Sequence, residues 1–305
     1  MRDLVIIGTG PAALTAAIYA ARENLDVAVY EKTTMGGLAS GIHDVENYPG
    51  FPDGISGMEL IERMRKQAEK FGAEIDYGEV SDLMADGKKK VLTVDGTKVE
   101  TKAVLVATGC SRNKLGVKGE DELSGKGVHY CATCDGAFYK DKRVVVIGGA
   151  NSAVQEALFL TKFAREIEIV SLFDITASEI LKERLEKAKK DGKIVVHVFA
   201  KTQEIMNENG RVAGVRIEKD GKEEVIMADG VFIFVGQSPA SGFLAGSGVE
   251  LTDRGFVKTD AGYETSVAGI FAAGDVRDGA VKQIVCACGE GAGAAMSVRE
   301  YLERE

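Results

Sequence analysis

Two cysteines separated by two residues, with a carboxylate directly after the second, form the most reactive stretch of this 305-residue chain: Cys131-Ala132-Thr133-Cys134-Asp135. A C-x-x-C pair can close a small disulfide. One of its thiolates can then attack an outside disulfide while the other resolves the mixed intermediate. Asp135 is placed to act as the proton donor. The same spacing is half of a zinc site, but structural zinc calls for a second matched pair. The other cysteines are Cys110, Cys286 and Cys288, the histidines are His43, His129 and His197, and none completes such a pair. The pattern therefore reads as a redox-active dithiol with no metal.

A dithiol needs a source of electrons, and the glycine turns of the chain point to one. Leu4 to Ile7 form a short apolar run ending in Gly8-Thr9-Gly10-Pro11-Ala12-Ala13. Helix-period apolar residues follow through Ala21, then a second strand, Val27 to Tyr30, ending at Glu31. This is the strand, glycine turn, helix, strand, acid order of a dinucleotide-binding βαβ unit. Gly8 makes the tight turn, Gly10 lets a pyrophosphate approach the backbone, and Glu31 is placed to bind ribose hydroxyls. The pattern returns further on: strand Arg143 to Ile147, turn Gly148-Gly149-Ala150-Asn151-Ser152-Ala153, a helix expected over Val154 to Phe163, and strand Glu166 to Val170. Each copy has a later apolar strand ending in glycine, Val104 to Gly109 and Val231 to Gly236, as expected of parallel strands covered on both faces. Gly269 to Asp275 reads as a further strand with a carboxylate at its end. A helix expected from about Val285 to Leu302 presents its amino end near Lys282-Gln283-Ile284.

The fold class is therefore α/β, with two Rossmann-like nucleotide-binding domains, the second inserted in the first. Glycine-rich linkers at Asn113 to Gly119 and Gln237 to Gly248 place the first domain at 1–116 and 245–305 and the dithiol-bearing domain at 117–244. The length supports two domains, and a chain this long buries roughly 75% of its unfolded surface without disulfide staples. Five unevenly placed cysteines are not a secreted framework, and a dithiol kept for chemistry suits a reducing, cytoplasmic compartment. Met1-Arg2-Asp3 leads straight into a strand with no signal-peptide layout, and no apolar run approaches the ~18 residues of a membrane span. A net charge of -9 argues against a nucleic-acid partner. Lys88 to Lys90 and the run Lys187 to Lys193 read as solvated faces.

Taken together, these motifs resemble the low-molecular-weight thioredoxin reductases, a family of FAD-containing pyridine-nucleotide-disulfide oxidoreductases. The resemblance rests on Gly8-Thr9-Gly10-Pro11-Ala12, Gly36-Gly37, Glu46-Asn47-Tyr48-Pro49-Gly50-Phe51-Pro52, Ala107-Thr108-Gly109, Cys131-Ala132-Thr133-Cys134-Asp135-Gly136, Gly274-Asp275 and Lys282-Gln283. It implies FAD in the first fold, held by Gly8, Thr9, Gly10, Pro11, Ala12, Glu31, Lys32, Gly37, Leu38, Asn47, Val80, Thr108, Gly109, Gly274, Asp275, Lys282, Gln283 and Ile284. Asp275 would serve the ribityl chain, and Lys282 to Ile284 the pyrimidine edge. It also implies a homodimer whose second domain rotates, presenting the dithiol alternately to flavin and to a thioredoxin-like protein. Cys134 would face the flavin and Cys131 would attack the substrate.

One departure from that family matters. Members that use NADPH carry G-x-G-x-x-A in the second fold and a His-Arg-Arg segment that grips the 2'-phosphate. Here the middle glycine is Ala150, the strand runs out into Ser171-Leu172-Phe173, and 167–181 contains no Lys or Arg. An Arg-phosphate pair is strong and directional, so its loss disfavours NADPH and makes ferredoxin or a reduced deazaflavin the expected electron donor. The rival readings are an ordinary NAD(P)H-dependent thioredoxin reductase and a flavoprotein redox sensor without turnover. Cys286 and Cys288, at the start of the last helix, read as small residues packed near the cofactor, with a second redox role as the alternative.

Overall fold

The computed structural model describes residues 1–42 and 44–304, with the side chain of Cys134 outside that description; His43 thus lies outside the described residues. The chain divides into two compact units, one formed by Met1–Ser111 with Ser238–Glu305, the other by Arg112–Gln237. The crossings fall earlier in the chain than the glycine-rich linkers suggest. The short strand Cys110–Arg112 ends just before the first of those segments, and Gln237–Pro239 occupies the start of the second.

In the first unit, strand Arg2–Ile7 pairs in parallel with Val27–Glu31 on one side and Thr97–Val106 on the other. Glu74–Tyr77 extends one edge, Ile270–Ala272 joins Thr97–Val106, and the antiparallel strands Lys89–Val94 and Val80–Asp86 complete the sheet. The period-two alternation of a strand decides its two faces. Leu4 and Ile6 pack with Ala13, Ala17, Leu105 and Phe271 under the helices Pro11–Arg22 and Ile284–Arg304. Val5 and Ile7 pack on the opposite face with Leu83, Leu92, Val104 and Ile270. Gly291 lets the last helix approach the first, since a Cβ there would lie 2.1 Å from the Ala12 carbonyl oxygen.

Lys90 corrects an expectation. It is fully buried rather than solvated, because its neighbours in strand Lys89–Val94 alternate in and out and its turn is inward. There its ammonium lies 6.0 Å from the centre of the Tyr301 ring, a geometry in which the ring quadrupole attracts the cation.

The second unit has a parallel sheet in the order Ile194–His197, Glu166–Val170, Arg143–Ile147, Gly230–Ile233, Val128–His129. It also has an antiparallel sheet of Ala200–Glu208, Arg211–Lys219 and Lys222–Met227. Val144, Val146, Ile167 and Ile169 face one core, Val145, Ile147 and Val170 the other. The helix after the second glycine turn spans Asn151–Leu160 rather than 154–163. Gly148, at φ +133°, turns the chain so sharply that Ala150 already caps the helix. At the other end the Thr161 hydroxyl donates to the Leu158 carbonyl at 2.6 Å, within the closing turn.

Candidate active site

The first glycine turn is held by contacts no side chain could survive. Gly8 takes φ +102°, and a Cβ on it would stand 2.5 Å from the Ala107 carbonyl oxygen of the neighbouring strand end. Gly10 differs: a Cβ there would meet no protein atom within 4 Å, so chain packing does not demand glycine. Open space above Gly10, and a helix beginning at Pro11 with no capping side chain, form the cradle into which a pyrophosphate fits.

Glu31 braces this cradle. Its Oε2 accepts from the Thr9 backbone N–H at 3.1 Å and from the Thr9 hydroxyl at 2.7 Å, and its Oε1 accepts from the Thr33 N–H at 3.0 Å. The Thr9 hydroxyl oxygen in turn accepts from the Gly36 N–H at 2.9 Å, drawing the Gly36-Gly37-Leu38 turn towards the first strand. Lys32 is exposed and paired with Glu79 at 2.6 Å, next to the buried Val80. Asn47 donates to the Gln283 side-chain oxygen at 3.0 Å, so two residues far apart in sequence meet. Residues 46–52 line a pocket of about 340 Å³.

Thr108 and Gly109 sit where the long strand ends. The Thr108 hydroxyl donates to the Ala240 carbonyl at 2.8 Å, and Gly109 takes φ +63°. Gly274 and Asp275 follow strand Ile270–Ala272, and a pair of residues missed by motif reading fixes them. Glu290 accepts from the Gly274 N–H at 2.8 Å and from two nitrogens of Arg277 at 2.8 and 3.1 Å. The signal in the sequence is a lone acid in the Gly- and Ala-rich opening of the last helix. Burial pushes the Asp275 carboxyl above its ordinary range while the Lys282 ammonium pulls it down. Lys282 also donates to the Cys110 thiol at 3.7 Å, whose own S–H points to the Asp275 carbonyl at 3.2 Å. Cys288 is buried and accepts from the Tyr48 hydroxyl at 3.7 Å; Cys286 is partly exposed.

In the second unit, strand Val128–His129 delivers the dithiol at its carboxyl end, the end of a parallel sheet at which α/β folds place their sites. Cys131 directly precedes the short helix Ala132–Asp135, which includes Cys134 and runs on into a tight turn through Tyr139. Gly136 lets this segment settle on helix Asn151–Leu160, since a Cβ would stand 3.0 Å from Leu160 Cδ2. Cys131 is disulfide-bonded, whereas Cys110, Cys286 and Cys288 are free thiols. The Asp135 carboxylate lies 3.1 Å from His129 Nδ1. Burial pushes the Glu156 carboxyl up to about 7, opposed by the charge of Arg112, whose own guanidinium is pulled down by burial against the charges of Glu156 and Asp135. Neither Arg112 nor Glu156 carries a motif signal. His197 pairs with Glu168 at 2.6 Å. Among the described residues no three His, Cys, Asp or Glu side chains converge as a metal site would, and no helix is long and apolar enough to cross a membrane.

The second glycine turn has different surroundings. A Cβ on Gly149 would meet Ser171 Oγ at 2.3 Å. The loop after that strand folds back on the turn, with the Thr176 N–H donating to the Gly149 carbonyl at 2.8 Å and the Ser178 N–H to Asn151 Oδ1 at 2.7 Å. Ser171 is buried, and Leu172 and Phe173 are exposed.

Residues 2–291 match the family model described as pyridine nucleotide-disulphide oxidoreductase. Among known proteins the chain is 44% identical to the thioredoxin reductase of Bacillus subtilis strain 168, over 99% of this chain and 95% of the relative. Its structure is similar to that of Lactococcus lactis thioredoxin reductase, with a TM-score of 0.95, 35% identity and full coverage of both chains. The T. acidophilum thioredoxin reductase superposes with a TM-score of 0.93 at 37% identity, over 98% of each chain. With one fold cradled for a dinucleotide and the other carrying the dithiol, the chain belongs to the low-molecular-weight thioredoxin reductase family and is an FAD-dependent disulfide oxidoreductase.

Proposed function

We propose that this enzyme passes electrons from FAD through the Cys131/Cys134 dithiol to the disulfide of a thioredoxin-like protein, and that its electron donor is ferredoxin or a reduced deazaflavin rather than NADPH. The observation that carries the donor assignment is the end of strand Glu166–Val170. Ser171, Leu172 and Phe173 stand there, with no cation between 167 and 181 to meet a 2'-phosphate. Ala150 supports the same reading, because its methyl group occupies the turn position that is bare in Gly10.

Bound FAD supplies a two-electron carrier. Gly8 and Gly10 would admit its pyrophosphate, Glu31 keeps the turn in shape through Thr9, and the Arg277–Glu290 pair fixes the Gly274–Asp275 turn that would serve its ribityl chain. Asn47 and Gln283 steady each other near the Lys282 to Ile284 segment. In the other unit Cys131 attacks the partner disulfide, Cys134 resolves the mixed disulfide, and Asp135 moves the proton between thiol and leaving thiolate. We assign the working form as a cytoplasmic homodimer.

The test is anaerobic reduction of the bound flavin by NADPH, NADH, reduced ferredoxin and reduced deazaflavin in turn, followed by single-turnover reduction of a thioredoxin-like disulfide. Rapid, saturable bleaching by micromolar NADPH would return the enzyme to the ordinary NADPH-dependent class. Flavin reduction without reduction of the partner would favour a redox sensor.

A further inference from the structure

His129 has no part in the reading above, yet its ring lies against the dithiol's carboxylate. Strand Val128–His129 is the edge of the parallel sheet, and its register places His129 beside Phe232. The imidazole stacks on that ring with centroids 5.2 Å apart and planes 29° apart. The chain then turns through the dithiol and comes back, so that Asp135 and Tyr139 both reach the same imidazole. Nδ1 lies 3.1 Å from Asp135 Oδ2, and Nε2 lies 2.7 Å from the Tyr139 hydroxyl. Tyr139 also meets the ring edge-on, at 5.4 Å and 75°.

These contacts select one tautomer. An ionised carboxylate only accepts, so Nδ1 carries the proton and Nε2 is left to accept from the Tyr139 O–H. Burial pushes the Tyr139 hydroxyl up to about 12, with Asp135 and Asp229 adding to the shift and Arg211 opposing it. Tyr139 therefore keeps its proton. Burial also pushes His129 below its ordinary range, against the pull of Asp135, which keeps the ring neutral at neutral pH. The charged groups around the ring are Asp135 directly and, beyond Tyr139, Asp229, Arg211 and the Lys142 ammonium, 5.4 Å from the centre of the tyrosine ring.

We propose that His129 is a positioning residue for the dithiol chemistry: Tyr139 locks the imidazole in its Nδ1–H form, and that N–H holds the Asp135 carboxylate in one orientation. The inference rests on the assignment of Asp135 as the proton carrier made under Proposed function. During turnover the attacking sulfur bonds to one sulfur of the outside disulfide, whose S–S bond breaks. The second cysteine then displaces the bound sulfur, closing the disulfide of Cys131 and Cys134. Two electrons leave the dithiol and two protons go to the departing thiolates. Asp135 transfers protons through its other oxygen, Oδ1, while His129 retains its own proton throughout.

Two measurements on the full, FAD-loaded chain test this. Imidazole nitrogen shifts are simple to assign in a protein with three histidines, and His129 should show the Nδ1–H form between pH 6 and 8; an Nε2–H form overturns the inference without any mutation. The second is the pH profile of single-turnover transfer from the pre-reduced dithiol to a thioredoxin-like disulfide. His129→Phe keeps the stack on Phe232 but loses the N–H, and should slow transfer by about tenfold and move the acid limb to higher pH. His129→Asn, whose amide reaches the place of Nδ1, should recover the rate to within about threefold of the parent. An unchanged His129→Phe, or a His129→Asn as slow as His129→Phe, overturns the proposal while Asp135→Asn remains impaired. If Asp135→Asn itself leaves rate and profile unchanged, the assignment of Asp135 fails and this inference fails with it.

Discussion

The two glycine turns share a backbone and differ in everything around it. Gly8 and Gly148 both take positive φ, and in each a Cβ would strike a carbonyl oxygen of the next parallel strand, Ala107 at 2.5 Å or Phe234 at 2.3 Å. Each receives its strand in the same way, with the Gly8 N–H donating to Tyr30 at 2.8 Å and the Gly148 N–H to Val170 at 2.9 Å. Beyond that point they part. The first turn has bare Gly10 and a strand ending in Glu31, whose carboxylate holds Thr9 and Thr33. The second has the methyl of Ala150 and a strand followed by Ser171, against which Gly149 packs. A βαβ unit thus persists because of strand and helix packing, while its ligand depends on a few side chains at the strand ends.

The sharpest division between the units comes from the cysteines. Cys131→Ser and Cys134→Ser should each lower disulfide reductase turnover by roughly a thousandfold or more, as loss of a nucleophile does, while FAD stays bound by the other unit. Absorbance at the flavin band and a thioredoxin-like disulfide assay read both at once. Full activity in either variant would shift the chemistry to another cysteine.

Next is the donor. NADPH should reduce the flavin at least a hundredfold more slowly than reduced ferredoxin or deazaflavin, a gap of about 2.7 kcal/mol, the scale of a charged pair left unmade. Ala150→Gly with Leu172→Arg and Phe173→Arg makes the second turn resemble an NADPH site. Stopped-flow reduction of that triple variant should narrow the gap. If it does not, the difference between the two turns has no bearing on the donor.

A smaller effect is expected at Glu31. Glu31→Ala leaves the N–H groups of Thr9 and Thr33 without their acceptor and should weaken FAD retention by about tenfold, read by dialysis and fluorescence. Unaltered retention would reduce Glu31 to an ordinary strand-end residue, no more telling than Ser171.

The smallest is a pH effect in the dithiol unit. The Glu156 carboxyl is raised from 4.5 to about 7, so the unfolded chain gives up its proton first. Its contribution is fully present below pH 4.5 and is lost as pH rises through about 7. Because the side chain is partly exposed, the loss should be about 1 kcal/mol. Glu156→Gln should flatten the melting temperature between pH 5 and 8; the same slope in parent and variant would rule this out.

Local patterns determined much of this protein. Alternating and continuous apolar runs marked the strands Arg2–Ile7, Val27–Glu31, Arg143–Ile147 and Glu166–Val170, because burial on a sheet face depends on residue parity. The glycines were legible for a similar reason: a turn with φ above +100° admits little else. The family motifs located the dithiol and the residues expected around FAD. Tertiary structure alone decided what each polar group touches. Nothing in the spacing of Glu290 foretells that it joins Arg277 to the Gly274 turn, and Lys90 lies in a lysine run that looks solvated yet enters the core beneath Tyr301. His129 read only as an incomplete metal ligand until the chain reversal brought Asp135 and Tyr139 to its two nitrogens. The physical reason is range: backbone propensity acts over a few residues, whereas hydrogen bonds and burial are settled between segments that sequence order does not place together.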